Sequence, residues 1–347
     1  MKMVKPLLFA STVSAFALQV QAANVNAILS WEDVRYNDVY DDNGINTGKG
    51  RNYHGYRLDM SVSPDNSNWT FNLGFRQNRS KGYTQSVKDK NPAANGAQMQ
   101  QVAGKRDYQR LDFGVSYRYR FNNGWVQPSF NIRQDKTLSA AGANHTTDYY
   151  NMDLYYNYNI TDRLVWNGRF KPEVVKYENN RQYIGSNNSA DVAKHTRKTQ
   201  FGWEIEQGLR YLVSPNFNFE IAYNDVRKRQ DDDKPVWDNT TNTESNPQLR
   251  IYMTYKTSFG LTLSPYIRKS IFGKIKVKDE CNLSKGKCTG AFTEKRDLTR
   301  YALRAQYQLS NNVTLMADYY RENVKFLNID KETSKQNYLR LGMRFTF

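Results

Sequence analysis

Arginine recurs along this chain at every second or fourth position, between apolar residues. Arg300 and Arg304 interleave with Tyr301, Leu303 and Ala305, and Arg340 and Arg344 with Leu341, Met343 and Phe345. A guanidinium is always charged and presents a planar fork of donors that grips a carboxylate or phosphate through two bonds. A row of such groups facing water attracts and selects anions. The candidates for solute contact are Arg57, Arg76, Arg110, Arg118, Arg120, Arg250, Arg268, Arg300, Arg304, Arg340 and Arg344, with Arg133, Arg169, Lys171, Arg210 and Lys256 sharing their phase. Asp153, Glu204, Glu206 and Glu220 are the counterpart acids, and Asp59, Asp112, Glu173, Asp318 and Glu322 hold the same phase. The chemistry these residues suggest is electrostatic recognition.

An element that positions arginines this way has a side-chain period of two, which is the period of a β-strand. The last ten residues place apolar side chains at Leu339, Leu341, Met343, Phe345 and Phe347, against Arg340, Gly342, Arg344 and Thr346. The same alternation returns upstream in Val313 to Tyr319, Tyr301 to Leu309, Leu261 to Ile267, Leu249 to Tyr255, Phe217 to Tyr223, Phe201 to Val213 and Leu164 to Phe170. It continues through Tyr150 to Ile160, Val126 to Ile132, Leu111 to Phe121, Trp69 to Phe75, Tyr56 to Val62 and Val25 to Trp31. That makes about fourteen strands, each with one apolar and one wet face.

Connections alternate in length. Short turns rich in turn-forming residues are expected at 63–66, 122–124, 161–162, 214–216, 258–260 and 310–312. Longer polar loops are expected near 37–52, 80–106, 136–146, 177–198, 230–246, 273–296 and 328–335. A soluble sheet with this many aromatic apolar faces would need a second layer to cover them, and no helical pattern supplies one. The reading is therefore all-β: a transmembrane antiparallel β-barrel with short turns and both termini on the periplasmic side, and long loops outside. The 25 Tyr, 17 Phe and 6 Trp suit strands and the aromatic rims at membrane interfaces.

Residues 1–22 carry Lys2 and Lys5, the apolar run Leu7 to Val20 and the small-residue end at Ala22, the pattern of a cleaved secretory leader. Residues 23–347 then form a single barrel domain in the outer membrane of a Gram-negative type of cell. Lipid and lipopolysaccharide are the surrounding partners, and the closing Phe347 is the residue expected to engage barrel-assembly machinery. No later segment is apolar enough for a spanning helix.

With apolar faces on lipid, the arginine faces line a lumen, and that many charges require water around them. The arginines of strands two to four and of strands twelve and fourteen form a basic arc across the barrel seam, expected to face an acidic wall of Asp153, Glu204, Glu206 and Glu220. The formal net charge of +16 is distributed by this alternation and not gathered into one exposed patch, which argues against nucleic acid. The expectation is an anion-preferring passive pore for small hydrophilic solutes, with an acidic oligosaccharide as a plausible passenger.

An enzyme, protease or lipase, on the same scaffold is the competing class, and an adhesin or receptor a third. Catalysis would use His54, His145 or His195 with a nearby carboxylate or hydroxyl, such as Asp59, Asp191 or Thr196. No cofactor cradle or metal-ligand spacing is found; Asp231-Asp232-Asp233 reads as a solvated charge run before it reads as a cation site. Cys281 and Cys288, the two cysteines, share one long loop and are expected to form a disulfide in an oxidising exported setting.

The strand count, Leu164-Val165-Trp166-Asn167-Gly168, Glu204-Ile205-Glu206-Gln207-Gly208-Leu209-Arg210-Tyr211, Ser264-Pro265-Tyr266-Ile267-Arg268 and the closing Leu341 to Phe347 resemble the OmpG-type monomeric porins. The resemblance covers most of the chain after the leader and implies a monomeric pore for oligosaccharides, gated by an external loop. The basic excess departs from a neutral-sugar pore. It is similar in lumenal arginine content to the oligogalacturonate-specific porins, which are shorter barrels.

Overall fold

The computed structural model describes residues 23–36, 52–80, 83–88, 99–104, 106–139, 144–181, 194–232, 241–271, 273–278, 280–282, 287–289, 292–328 and 333–347. The expected leader, Asp191 and Asp233 lie outside these residues. Fourteen strands form the wall: β1 (Ala23–Tyr36), β2 (Asn52–Pro64), β3 (Trp69–Ser80), β4 (Arg106–Tyr117, continued by Tyr119–Phe121), β5 (Gly124–Ser139), β6 (Asn144–Asn159) and β7 (Leu164–Arg181). The second half comprises β8 (Lys194–Ser214), β9 (Phe217–Asp232), β10 (Thr241–Ser245 and Gln248–Lys256), β11 (Leu261–Ser270 and Gly273–Lys278), β12 (Phe292–Ser310), β13 (Val313–Phe326) and β14 (Ser334–Thr346).

Each strand pairs antiparallel with its sequence neighbours, and β14 returns to β1 through the register Asn26↔Thr346 to Tyr36↔Gln336. The wall closes on itself, so it has no edge strand. Val25 and Phe347 exchange backbone bonds of 3.1 and 2.9 Å across the seam.

The six short turns lie where turn residues were expected. In the first, Asn66 takes φ +58°, a conformation asparagine tolerates, and Gly260 in the fifth takes φ +90°. At the opposite end the strands run further than the apolar alternation does. The expected loop at 136–146 contracts to four positions between Ser139 and Asn144, and β7, β8 and β9 reach Arg181, Lys194 and Asp232. Polar residues continue these strands because antiparallel pairing, once nucleated by the apolar segment, supplies every backbone partner without requiring a buried face. Two separate hairpins, Tyr83–Lys88 with Met99–Gly104 and Glu280–Asn282 with Lys287–Thr289, stand in the second and sixth long connections.

The apolar rows face outward. Leu73, Phe113, Ile132, Met152, Phe170, Leu209, Ile221, Met253, Leu303, Leu315 and Leu341 are all exposed. Near the short-turn end this belt is edged by aromatic groups. Trp69 meets Tyr117 edge-on at 4.9 Å, Phe121 stacks with Tyr158 at 6.5 Å and Tyr211 lies 6.0 Å from Phe219. Towards the other end Tyr56, Trp203, Tyr223, Tyr301 and Tyr319 supply a second rim. A soluble protein does not expose a continuous apolar band of this kind, whereas a bilayer requires one.

Candidate functional site: the charged wall of the lumen

The residues opposite in phase to the belt line the interior. Register brings the arginines into two ladders. Arg57 stands opposite Arg76, which stands opposite Arg110, on β2, β3 and β4. Arg250, Arg268 and Arg300 repeat this on β10, β11 and β12. The central strands, β3 and β11, are eight places apart in a ring of fourteen, so the ladders lie on nearly opposite walls.

Like charges directly across a ladder repel, so each guanidinium needs compensation. In the first ladder all three have it. Arg57 Nε lies 2.7 Å from Asp59 Oδ2, Arg76 Nε 2.5 Å from Glu32 Oε1, and Arg110 Nε 3.0 Å from Asp135 Oδ1. Asp135 is shared with Arg133, whose guanidinium also lies 4.1 Å from the centre of the Tyr149 ring. Glu32 is fully buried and also accepts bonds from Tyr338 Oη at 2.9 Å and Asn78 Nδ2 at 3.5 Å. It reaches β3 across β2 because the intervening residue is Gly55; a Cβ there would collide with the Gln77 carbonyl and with Asn78.

The second ladder is compensated only at its ends. Arg250 is paired with Glu206, lies 3.6 Å from Glu204 and donates to Asn224 Oδ1 at 2.7 Å. Arg300 Nη2 lies 2.5 Å from Glu322 Oε2. Between them Arg268 has no ion pair among the described residues. Its Nε is buried without a hydrogen-bond partner, and its guanidinium lies 5.3 Å from the Tyr266 ring centre. This arginine borders a cavity of about 300 Å³, whose charged lining is Lys171, Glu173, Glu204, Lys228, Arg250, Arg300 and Glu322. Glu173 binds Lys171 at 2.7 Å, which leaves Lys228, opposite Glu244 in register, and Arg268 as the cations of this cavity without an ion pair among the described residues.

The expected division into a basic arc and an opposing acidic wall takes a different form. Asp153 binds Arg169 at 2.6 Å, and Arg169 lies 3.3 Å from Glu204. Glu206 pairs with Arg250. Glu220 stands opposite Arg210 and accepts a 2.9 Å bond from Asn167 across Gly208. In the basic arc, Arg304 binds Asp318 at 2.8 Å, and Arg340 binds Asp59 at 2.7 Å and Ser30 at 2.9 Å. These charges pair between neighbouring strands, because a charge finds its opposite there at far shorter range than across the lumen.

Arg118 lies 4.6 Å from the Trp125 ring centre and donates to Gln127 at 2.8 Å, while Arg120 and Arg344 sit near the short-turn mouth. Glu32 and Asp135 escaped the sequence reading because each lies one step past the apolar run that marked its strand. Continuing period two from Ser30 to Glu32, and from Arg133 to Asp135, would have found both. His54 projects outward on β2, opposite Asp33, away from the lumenal charges. The side chains of His145, His195, Asp231, Asp232, Cys281 and Cys288 lie outside the described residues; backbone register places Cys281 directly opposite Cys288.

A closed fourteen-stranded barrel with an apolar exterior between aromatic rims and a charged interior is a β-barrel protein of the outer membrane. Consistent with this class, the model for the outer membrane protein beta-barrel domain matches residues 96–246. No curated protein matches the chain. Among solved structures it is similar to the toluene transporter TodX of Pseudomonas putida (10% identity, TM-score 0.49, covering 96% of this chain and 92% of that one). It is also similar to a FadL homologue of Pseudomonas aeruginosa (11%, 0.48, 94% and 90%) and to the translocator domain of the autotransporter NalP from Neisseria meningitidis (11%, 0.43, 99% and 95%). At these values the likeness assigns no ligand to this chain.

Proposed function

We propose that the protein is a passive diffusion channel for small hydrophilic solutes, with a preference for anionic ones of the uronate oligosaccharide type. The observation that carries this reading is Arg268, a guanidinium held between two others, bordering a cavity of about 300 Å³ and lacking an ion pair among the described residues. A carboxylate passing along this wall supplies the missing charge and accepts from a fork already in place. The surrounding acids keep the site from holding its guest tightly, since Lys171, Arg250 and Arg300 are already paired. Transit requires binding that is favourable and brief. One chain closes the wall on itself, so one copy makes a pore, and transport proceeds without covalent chemistry. A Cys281–Cys288 disulfide would brace the hairpin of the sixth connection.

Planar-bilayer reversal potentials in a salt gradient test the reading. Anion preference is expected, and cation preference or absence of conductance would overturn it. Vesicle swelling with a uronate oligomer and a neutral oligomer of equal size separates charge selection from size selection; the uronate is expected to enter faster.

A further inference from the structure

Outside the lumen, at the end of the barrel opposite the short turns, one level of the wall carries a row that the transport reading does not use. Arg227 on β9 stands opposite Ser245 on β10, Ser245 opposite Lys274 on β11, and Lys274 opposite Lys295 on β12. Residues directly opposite in a ladder share a face, and Arg227, Lys274 and Lys295 are exposed on the outer one. Lys274 and Lys295 are therefore like charges side by side, without an acid partner among the described residues. Arg227 gives its Nε to Asp225 at 2.8 Å, and its terminal amino groups have no acceptor among the described residues. One step nearer the belt, Asp297 is held by Lys269 at 2.6 Å, so Lys325, which stands opposite Asp297, shares an acid already engaged.

The excess is confined to this side. From β9 to β13 the outward bases Arg227, Lys269, Lys274, Lys295, Arg321 and Lys325 meet the acids Asp225 and Asp297 among the described residues. From β3 to β7 the outward bases Arg79, Lys136 and Lys176 are matched by Asp107, Asp148 and Glu178. On β9 and β11 the row begins where the apolar belt stops, with Tyr223 and Ile271 exposed next below it. A basic strip beyond the edge of the apolar belt is placed to meet the anionic headgroups of the outer leaflet.

We propose that Arg227, Ser245, Lys274 and Lys295 form a seat for the phosphate groups of a phosphorylated outer-leaflet lipid, with its acyl chains against the belt beneath. The lipid is favoured over a soluble acidic partner because charge and apolar surface are stacked in the order in which such a lipid carries them.

The test measures binding of bisphosphorylated lipid A to the full-length protein in detergent by native mass spectrometry, with heat-modifiable migration verifying a folded barrel. Substituting Lys274→Gln and Lys295→Gln together is expected to weaken binding about tenfold, and removing the lipid's phosphates is expected to weaken it as much. Lys136→Gln with Lys176→Gln, on the matched side, is expected to leave it unchanged. Arg227→Gln alone gives a milder loss and serves should the double variant not fold. Equal affinity in wild type and the row variants would overturn the proposal, as would equal loss in the matched-side variant. Displacement of the lipid by millimolar inorganic phosphate would reassign the row to a free anion. An acidic protein retained by wild type and lost from the row variant, with lipid binding unchanged, would equally overturn it.

Discussion

Arg268 stands directly opposite Arg300 across the β11–β12 ladder, and only Arg300 has a carboxylate, Glu322 at 2.5 Å. Arg268 is thus held in place by packing and by the Tyr266 ring against the repulsion of its neighbours. Its charge serves no ion pair that stabilises the wall, so its loss should be felt in permeation before it is felt in folding.

Replacing Arg268 with Gln is expected to lower the anion-to-cation permeability ratio about threefold, because the one uncompensated charge of its ladder disappears. Stability should hold or rise slightly, since a like-charge contact is relieved. Reversal potentials and urea unfolding, measured on the same preparation, check both parts. A large loss of stability with unchanged selectivity would contradict the assignment.

Arg76 is expected to behave in the opposite way. Removing it strands the fully buried Glu32, and truncating one partner of a buried pair costs about 3 kcal/mol. Arg76→Ala should therefore lower the urea midpoint strongly, and Glu32→Gln added to it should recover much of the loss. The recovery, read as a double-mutant cycle, is the discriminating measurement.

Gly55 tests how Glu32 reaches β3. Alanine in place of a strand glycine is ordinarily stabilising, but here its Cβ meets the Gln77 carbonyl and Asn78. Gly55→Ala is expected to cost about 1–3 kcal/mol in unfolding free energy. A gain in stability would show that the strands can part to admit a side chain.

On the lipid face Gln207 interrupts the apolar row of β8 between Ile205 and Leu209. Its Oε1 accepts from Tyr156 Oη and from Trp166 Nε1, the latter at 3.2 Å, with Tyr156 lying over Gly168. Gln207→Leu should destabilise by about 1–2 kcal/mol, because the tyrosine hydroxyl is left unsatisfied against hydrocarbon. Gln207→Leu with Tyr156→Phe should recover part of that, measured by thermal unfolding in detergent.

Much of this architecture can be read locally. Alternation at Leu339 to Phe347 marks β14, and the turn residues at 63–66 or 310–312 mark where strands reverse, because strand period and turn conformation are properties of a few consecutive residues. The same locality explains the errors. β5 continues through Asp135 to Ser139 and β9 to Asp232, where polar side chains carry no apolar signal and only pairing with a neighbour keeps the strand going.

From the amino-acid order alone follow the β class, the strand count, the turns, and which side chains face lipid and which face water, for alternation assigns faces without reference to any partner. Tertiary structure alone decides which water-facing charges meet. Arg250, Arg268 and Arg300 share a level only because the stagger of a closed barrel sets the register of β10, β11 and β12, and Glu32 finds Arg76 only through the gap at Gly55. Register depends on closure of the entire ring, a condition that no single segment encodes, and it is register that leaves Arg268 without an acid.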